Sequence, residues 1–301
     1  MGIGINAVNE AVQRNAGEYI RQTDAALDRQ IEAAATLIRD GCAERPIVLL
    51  SGPSGSGKTT TARKIEAKLD RWGYETHTLS MDDYFHSMAA VPDADAGTLD
   101  LESPERVDAA FLTGQLEDIL ACRPTRIPRF DFETATRGDS GWTLTRKPRE
   151  VIILEGIHAF NPEVIRIPDE RTVRLYVSVR TPMDAPDGTA LHPRSIRLLR
   201  RMLRDKLYRG RLMAETLRMF ADVQRGEERF IAPFEHRATV MLDTLLPYEV
   251  GIYRNLLWDD LQTFADDPEV AELLPLLSAA VPLSPAAVPE DSLIREFIGP
   301  K

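Results

Sequence analysis

The chain of 301 residues carries a formal net charge of −10 and is 43% hydrophobic, which allows one large α/β domain or two small ones. No apolar run reaches membrane-spanning length, the first residues lack the order of a signal peptide, and two cysteines cannot build a disulfide framework, so a cytoplasmic protein is expected. The acidic balance argues against a protein that coats nucleic acid, yet it permits a local basic site.

The N-terminal stretch predicts a helix over 5–40, because it lacks proline and keeps apolar residues at helical spacing up to Gly41. Strands and helices alternate after it. We predict strands at 46–52, 74–80, 151–156 and 172–179, and a strand or hairpin at 126–138. Helices are predicted at 60–73, 104–123 and 197–211, and loops at 86–104 and 181–193. Two further helical stretches and a proline-spaced tail follow.

This alternation is typical of an α/β fold with a doubly wound, mostly parallel sheet and helices on both faces. We divide the chain into an N-terminal helical extension over 1–45, a core over 46–250, and a C-terminal helical segment with its tail over 251–301. The extension is interpreted either as a structural support of the core or as a binding segment for a partner.

The segment GPSGSGKT is a complete Walker A motif between a predicted strand and a predicted helix, as in P-loop NTPases. Its glycines let backbone N–H groups curl around phosphate oxygens, and the positive end of the following helix points at the same anion. Lys58 would reach the β and γ phosphates, and the Thr59 hydroxyl would ligate Mg²⁺. The predicted ATP-binding residues of this motif are Gly52, Ser54, Gly55, Ser56, Gly57, Lys58, Thr59 and Thr60.

Acidic residues follow two of the predicted strands. Glu155 ends the strand at 151–156, and Asp82 and Asp83 come directly after the strand at 74–80. Because ligands of an open α/β sheet gather at the carboxyl ends of its strands, Glu155 could hold Mg²⁺, directly or through water. Asp82 is the better candidate for a base that accepts a hydroxyl proton in phosphoryl transfer, and Asp83 would cap the following turn. The alternative is that all three are solvent-facing acids.

The segment RLLRRMLRDKLYRGR concentrates six arginines and one lysine against a single aspartate. As a helix it places apolar residues on one face and a purely basic, exposed face opposite. We predict that this face is a mobile lid, over about 194–211, that closes on the nucleotide and stabilises charge on the transferring phosphate. A solvated surface helix and a nucleic-acid or membrane patch are the alternatives. The predicted ATP-binding arginines are Arg200, Arg201, Arg204 and Arg209.

Six motifs, in order along the chain, resemble the uridine kinase and phosphoribulokinase group of P-loop kinases: GPSGSGKTTTARK, LSMDDYF, DLESPERVD, PRFDFETATR, ILEGIHAFNPE and the arginine-rich segment. The tail SLIREFIG looks still more like a bacterial branch of nucleoside, or uridine kinase-like, kinases. The resemblance implies an ATP- and Mg²⁺-dependent kinase that phosphorylates a hydroxyl of a small metabolite, foremost the 5′-hydroxyl of a nucleoside. The alternatives are a kinase for another polyol or sugar phosphate, and a regulatory nucleotide-binding protein without efficient turnover.

The resemblance also implies roles for matching positions. Asp82 matches the base that activates the nucleoside hydroxyl, and Thr59 and Glu155 match a magnesium-linked pair. Glu102 falls where uridine kinases use an aspartate to hold ribose hydroxyls. The residues implied in catalysis are Asp82 and Lys58, and those implied to bind the acceptor are Asp82, Tyr84, Glu102, Phe130, Phe132, Arg137 and Arg197.

Two departures from the uridine kinase pattern concern the base of the acceptor. Ala135 stands where uridine kinases have a histidine, and Phe130 stands where they have a tyrosine. Because those side chains help to read the pyrimidine, their loss predicts broad nucleoside tolerance or a preference other than uridine. No nucleic-acid or membrane partner is expected, and the sequence leaves a homo-oligomer open.

Overall fold

The described residues of this computed structural model, 2–87 and 102–300, fold into ten strands and eight α-helices. The strands are β1 (Ile3–Gly4), β2 (Ile47–Ser51), β3 (Thr76–Ser80), β4 (Thr125–Asp131), β5 (Thr136–Leu144), β6 (Val151–Glu155), β7 (Thr172–Ser178), β8 (Met183–Asp184), β9 (Ala190–Leu191) and β10 (Val240–Asp243). The helices are α1 (Ile5–Gly41), α2 (Lys58–Arg71), α3 (Ala109–Leu120), α4 (Pro193–Tyr208), α5 (Met213–Phe230), α6 (Glu249–Gln262), α7 (Pro268–Ala279) and α8 (Arg295–Ile298). The loop predicted at 86–104 lies largely outside the described residues.

Five parallel strands form the central sheet in the order β10-β7-β2-β6-β3, which confirms the predicted doubly wound α/β fold. The four predicted strands all belong to it. The sequence pattern misses the edge strand β10, because its four residues are not a continuous buried run. The register places Leu50 and Ser80 on either side of Glu155, so the loops after β2 and β3 meet at the end of β6.

Alternate residues of the strands face two separate apolar clusters, as expected for a sheet that is covered on both sides. Val48 and Leu50 face a large cluster with α1, α2, α4, α6 and α7. Ile47 and Leu49 face a smaller cluster with α3 and the β4-β5 hairpin. That hairpin is antiparallel, as one of the two interpretations of this segment predicts, and it extends to Leu144.

Several element boundaries differ from the sequence-based expectation because local caps override periodicity. The helix predicted from residue 104 begins as α3 at Ala109, since the Asp108 carboxylate accepts a hydrogen bond from the N–H of Phe111 (3.0 Å). Three helices, α5, α6 and α7, lie between α4 and the tail, where two were predicted. Asp267 caps the start of α7 and so separates it from α6. The loop predicted at 181–193 contains the short strands β8 and β9.

The N-terminal helix α1 packs along the core, which favours the structural interpretation of the extension. It bends at Asn15, whose side chain accepts a hydrogen bond from the N–H of Glu18 (3.0 Å) and caps the second half of the helix. Buried residues of that half, such as Ile31 and Ile38, belong to the same cluster as β2. Within the described ranges, neither α1 nor any other helix has the length and hydropathy to cross a membrane.

Candidate active site

The Walker A loop joins β2 to α2 in the predicted conformation. Gly55 and Gly57 have positive φ angles (74° and 88°), a region in which other residues are strained. A Cβ atom on Gly57 would lie 2.8 Å from Leu293 of the C-terminal segment. Lys58 folds over the loop and donates hydrogen bonds to the carbonyl oxygens of Gly52 (2.9 Å) and Pro53 (3.1 Å). The loop is therefore packed tightly on its outer side, and its lysine is positioned at its centre.

Two carboxylates lie beside Lys58 at the carboxyl edge of the sheet. Burial raises the pKa of the Asp82 carboxyl, and the charges of Lys58 and Arg106 oppose that rise. Burial also raises the pKa of Glu155, with Lys58 opposing the rise and Asp82 adding to it. The structure therefore brings together Lys58, Asp82 and Glu155, which come from separate motifs. Lys58 balances the negative charge of the two carboxylates only in part.

The two neighbouring aspartates after β3 have different surroundings. The Asp83 carboxylate accepts a hydrogen bond from the N–H of Phe130 (3.0 Å), so it anchors the β4-β5 hairpin and does not cap the following turn as predicted. The Asp82 carboxylate instead lies within electrostatic reach of Lys58 and Arg106. Asp82 is thus the aspartate of the pair that faces the P-loop lysine, and its role as a base stays a prediction.

The oxygen donors of this edge fit a magnesium ion. Glu155 is the last residue of β6, and the exposed Thr59 is the last residue of the Walker A motif, in the first turn of α2. The Ser80 side chain favours the charged form of Glu155. Mg²⁺ binds oxygen ligands and combines one or two carboxylates with phosphate oxygens. A cation here would also offset the cost of placing the Asp82 and Glu155 carboxylates away from water. Glu155 and Thr59 are therefore suitable ligands for Mg²⁺.

The residues predicted to bind the acceptor separate into ligand-accessible and structural ones. Phe132, at the hairpin turn, is 66% exposed, and its ring contacts the buried ring of Phe130 edge to face (5.2 Å). The buried Tyr84 hydroxyl donates a hydrogen bond to Gln115 (2.9 Å), and Arg137 pairs with Asp108 (2.9 Å). The accessible part of this group is therefore the aromatic tip of the hairpin, with Tyr84 and Arg137 supporting it.

Arg106 lies between Asp82 and Glu102 in electrostatic terms, because it interacts with both carboxylates. Glu102 packs closely against Gly226 of α5. A Cβ atom added to Gly226 would lie 2.3 Å from the Cβ of Glu102. The guanidinium of Arg106 lies over the ring of Phe85 (4.3 Å). The sequence reasoning missed Arg106, although it belongs to the same motif, DLESPERVD, as Glu102.

The prediction of an exposed basic face on the arginine-rich helix is wrong. Both faces of α4 are buried over 195–203, and Arg197, Arg200 and Arg201 are 7%, 0% and 6% exposed. The helix packs against α5, α6 and α8 and forms a wall of the site in this structure, and its movement as a lid stays a prediction. Its arginines are buried because acidic residues and carbonyl groups from other segments surround them.

Arg200, predicted as an ATP contact, supports the P-loop from behind. Its Nε and Nη2 donate to the Glu249 carboxylate (2.8 and 2.9 Å), and Nη2 also donates to the carbonyl oxygen of Thr244 (2.6 Å). Its Nη1 donates to the carbonyl oxygen of Gly55 and to the Thr244 hydroxyl (both 3.2 Å). Because these bonds use all five guanidinium N–H groups, the assignment of Arg200 to ATP is corrected to a structural one.

Arg197 is held in a similar way. Its guanidinium makes a bidentate ion pair with Glu227 (2.7 and 2.8 Å) and donates to the carbonyl oxygen of Ser54 (3.0 Å). The same Glu227 carboxylate accepts a hydrogen bond from the N–H of Ser54 (3.1 Å). In this structure Arg197 therefore positions the P-loop, and an acceptor contact would require it to leave Glu227.

The remaining arginines of the segment have an excess of positive charge. Buried Asp205 is shared among Arg201 (3.7 Å), Arg209 (3.2 Å) and Arg211 (3.7 Å). Burial lowers the pKa of Arg204 to about 10, and the charges of Arg209 and Arg201 add to that effect. Glu102 acts on Arg201 and Glu296 acts on Arg204 from other segments, so three acids face four guanidinium groups. The remaining positive charge at this end of α4 favours a bound anion.

The C-terminal segment adds a residue that no local sequence signal reveals. The Glu296 carboxylate of α8 accepts hydrogen bonds from the N–H (3.2 Å) and hydroxyl (2.7 Å) of Thr60, 236 residues earlier in the chain. Thr60 lies in the first turn of α2. Together with Glu227, Glu296 gives the P-loop a carboxylate partner at each end.

The parallel sheet, the Walker A loop and the acids at its carboxyl edge define an ATP-binding P-loop kinase. The chain belongs to the Phosphoribulokinase / Uridine kinase family, whose family model matches residues 47–248. This membership confirms the resemblance that the sequence motifs carry.

Curated relatives and a solved structure agree with the family. The chain is 29% identical over 210 residues to the uridine kinase of Lactiplantibacillus plantarum, which covers 69% of this chain and 91% of the relative. It is 30% identical over 197 residues to the uridine kinase of Staphylococcus aureus, which covers 65% and 86%. A structure described as a possible uridine kinase from Bacillus stearothermophilus superposes with a TM-score of 0.51 at 21% identity. The superposition covers 72% of this chain and all of that chain, and it supports the fold.

Proposed function

We propose that this kinase transfers the γ-phosphate of ATP, with Mg²⁺, to the 5′-hydroxyl of a nucleoside. The observation that carries the proposal is the meeting of Lys58, Asp82 and Glu155 at one edge of the sheet. The hairpin that carries the exposed ring of Phe132 is anchored beside Asp82, through the hydrogen bond from Phe130 to Asp83. A phosphate site, a free carboxylate and an aromatic surface are the three parts that phosphorylation of a nucleoside requires.

Asp82 serves as the base in this reaction. Its carboxylate accepts the proton of the 5′-hydroxyl while the hydroxyl oxygen bonds to the γ phosphorus. The bond between the γ phosphorus and the β-γ bridging oxygen breaks in the same step, and ADP is released. The raised pKa of the Asp82 carboxyl, caused by burial, strengthens it as a proton acceptor. Asp83 contributes indirectly, because it anchors the hairpin at Phe130.

Charge on the transferring phosphate is stabilised from two sides. Lys58 exchanges the carbonyl oxygens of Gly52 and Pro53 for phosphate oxygens. Arg201 and Arg204 approach from α4, and Arg201 already reaches the Ser54 hydroxyl (3.3 Å). Mg²⁺ held by Thr59 and Glu155 would neutralise part of the phosphate charge.

The acceptor site combines a stacking surface with a carboxylate for hydroxyl groups. Phe132 offers an exposed ring face on which any nucleobase can stack, supported edge to face by Phe130. Ala135 at the hairpin turn adopts a positive φ of 51° and supplies no hydrogen-bonding group for a base. Glu102 offers two acceptor oxygens that suit the 2′ and 3′ hydroxyls of ribose. We therefore expect broad base tolerance and a preference for ribonucleosides over 2′-deoxynucleosides.

A coupled assay of ADP release tests this proposal across ribonucleosides, 2′-deoxynucleosides, ribulose 5-phosphate, pantothenate and simple polyols. Ribonucleosides should give the highest kcat/KM, and loss of a hydroxyl that Glu102 holds should cost about 5- to 100-fold. The Glu102→Gln variant should reduce that discrimination without reversing it. Turnover confined to a compound that is not a nucleoside would contradict the acceptor class, and firm ATP binding without turnover on any acceptor would favour a regulatory protein.

A further inference from the structure

The C-terminal segment contacts the P-loop at the point where a helix of this kind receives phosphate. Thr60 supplies one of the N–H groups in the first turn of α2 that have no partner within the helix. After a Walker A loop, such groups bind phosphate oxygens. Here the Glu296 carboxylate accepts both the N–H and the hydroxyl of Thr60.

We propose that Glu296 is an internal competitor of the nucleotide, whose carboxylate occupies a phosphate position at the start of α2 and is displaced when ATP binds. The inference rests on the nucleotide-binding part of the proposed function and is independent of the acceptor. It assigns to the tail a residue that sets the affinity for ATP.

The charges around Glu296 support this competition. Arg204 of α4 and Glu155 of the metal side both interact electrostatically with Glu296. The carboxylate thus lies between the arginines that favour an anion and the acids that favour a cation. A triphosphate in the P-loop would bring several negative charges to the same N–H and guanidinium groups, so the two anions repel each other and compete for the same donors.

The backbone of the tail is anchored, so displacement involves the Glu296 side chain and not the whole segment. Leu293, Ile294 and Phe297 are fully buried. The Ser292 hydroxyl donates a hydrogen bond to Asp24 of α1 (2.9 Å), and the Tyr248 hydroxyl donates to the same carboxylate (3.0 Å). This anchoring fixes the carboxylate at a high effective concentration beside Thr60, and it gives the N-terminal helix α1 a role in holding the competitor.

The neighbouring acid Glu290 provides a matched control. Glu290 and Glu296 line the same groove of about 590 Å³ between α2 and the tail, together with Thr59 and Arg63. Glu290 is exposed, whereas Glu296 contacts Thr60 directly. Glu290→Ala removes the same charge from the same groove, and therefore separates general electrostatics from occupation of the phosphate position.

The test is a calorimetric titration of the nucleotide-free full chain with Mg²⁺·ATP and, separately, with inorganic tripolyphosphate. Glu296→Ala should bind both probes about 3- to 30-fold more tightly than the parent, Glu296→Gln should lie in between, and Glu290→Ala should stay within about twofold. Unchanged or weaker binding by Glu296→Ala would overturn the proposal. Tighter binding of ATP without tighter binding of tripolyphosphate would also overturn it, because the tail would then act on the adenosine part of ATP and not on its phosphates.

Thermal unfolding of each variant shows that a binding change is not a folding defect. If Glu296→Ala does not fold, Glu296→Gln carries the test, and parent-like affinity of that folded variant for tripolyphosphate would contradict the proposal. Because neither probe requires an acceptor, failure of the nucleoside assay would leave this inference intact, and its own failure would leave the proposed reaction intact.

Discussion

The acidic edge of the sheet and the arginine-rich helix α4 both concentrate one sign of charge, yet the fold treats them differently. At the edge, the Asp82 and Glu155 carboxyls are half-buried with Lys58 as their shared cation, and this partial burial raises the pKa of both. On α4, Arg197 and Arg200 each have a dedicated carboxylate, Glu227 and Glu249. A charge with its own buried partner holds the structure, whereas a charge that the fold leaves unbalanced is available for a ligand.

The sharpest contrast within α4 is between Arg200 and Arg194. Arg200→Ala should lower the free energy of unfolding by about 3–5 kcal/mol, because it leaves the fully buried Glu249 carboxylate without its cation. Arg194, on the same helix, has a partly exposed side chain paired with Glu269 at 3.8 Å, so Arg194→Ala should cost about 1 kcal/mol or less. Chemical denaturation measures both, and equal losses would contradict the structural role of Arg200.

Lys58 belongs to the unbalanced edge, so its removal should affect turnover more than stability. Lys58→Ala should lower turnover about 10²–10³-fold, the usual effect of losing one donor to developing charge. Because the variant also removes the cation shared by Asp82 and Glu155, the unfolding temperature should fall, but by much less in free energy than the loss of turnover represents. Near-normal ATP turnover by a folded Lys58→Ala variant would show that the P-loop assignment of Lys58 is wrong.

Arg204 tests whether the unbalanced end of α4 serves the nucleotide. Arg204→Ala should lower turnover about 10- to 100-fold while leaving the stability of the nucleotide-free protein unchanged or slightly higher, because burial disfavours the charged guanidinium. The exposed Arg218→Ala on α5 is the control and should match the parent in both respects. A loss of stability without a loss of turnover in Arg204→Ala would place Arg204 with Arg200.

The smallest expected effect concerns stability and pH at Asp82. A carboxyl whose pKa is raised in the folded state stabilises the fold below its unfolded value of about 3.8, and this contribution is lost as pH rises through the folded pKa. At pH 7.5, Asp82→Asn should therefore raise the unfolding temperature of the nucleotide-free protein by about 1–3 °C. The gain should shrink as the pH is lowered toward 5, whereas Asp83→Asn, whose neutral amide oxygen accepts the Phe130 N–H more weakly, should slightly lower the unfolding temperature.

The residues that sequence reasoning located share a simple origin. Lys58 belongs to a local motif, and Asp82 and Glu155 follow apolar strands that parallel topology brings to one edge. No tertiary detail was needed, because strand direction alone places these residues together. The fold class could be predicted for the same reason.

The residues that sequence reasoning misjudged depend on distant partners. Arg200 reads as an exposed helical arginine until Glu249, 49 residues later, covers it. Glu296 lies 236 residues from Thr60, and nothing near either residue predicts their contact. Helical periodicity describes which residues share a face, but burial of that face is decided by the segments that pack on it.

The comparison of Asp82 with Asp83 is the most direct test of Asp82 as the base of phosphate transfer. The measurement is the single-turnover rate of phosphate transfer from bound Mg²⁺·ATP to a ribonucleoside, alongside the affinity for Mg²⁺·ATP. Asp82→Asn should reduce the rate about 10²–10⁴-fold with affinity within about twofold of the parent, and folded Asp83→Asn should lose much less. A near-parental rate in Asp82→Asn, or a larger loss in Asp83→Asn, would contradict Asp82 as the base.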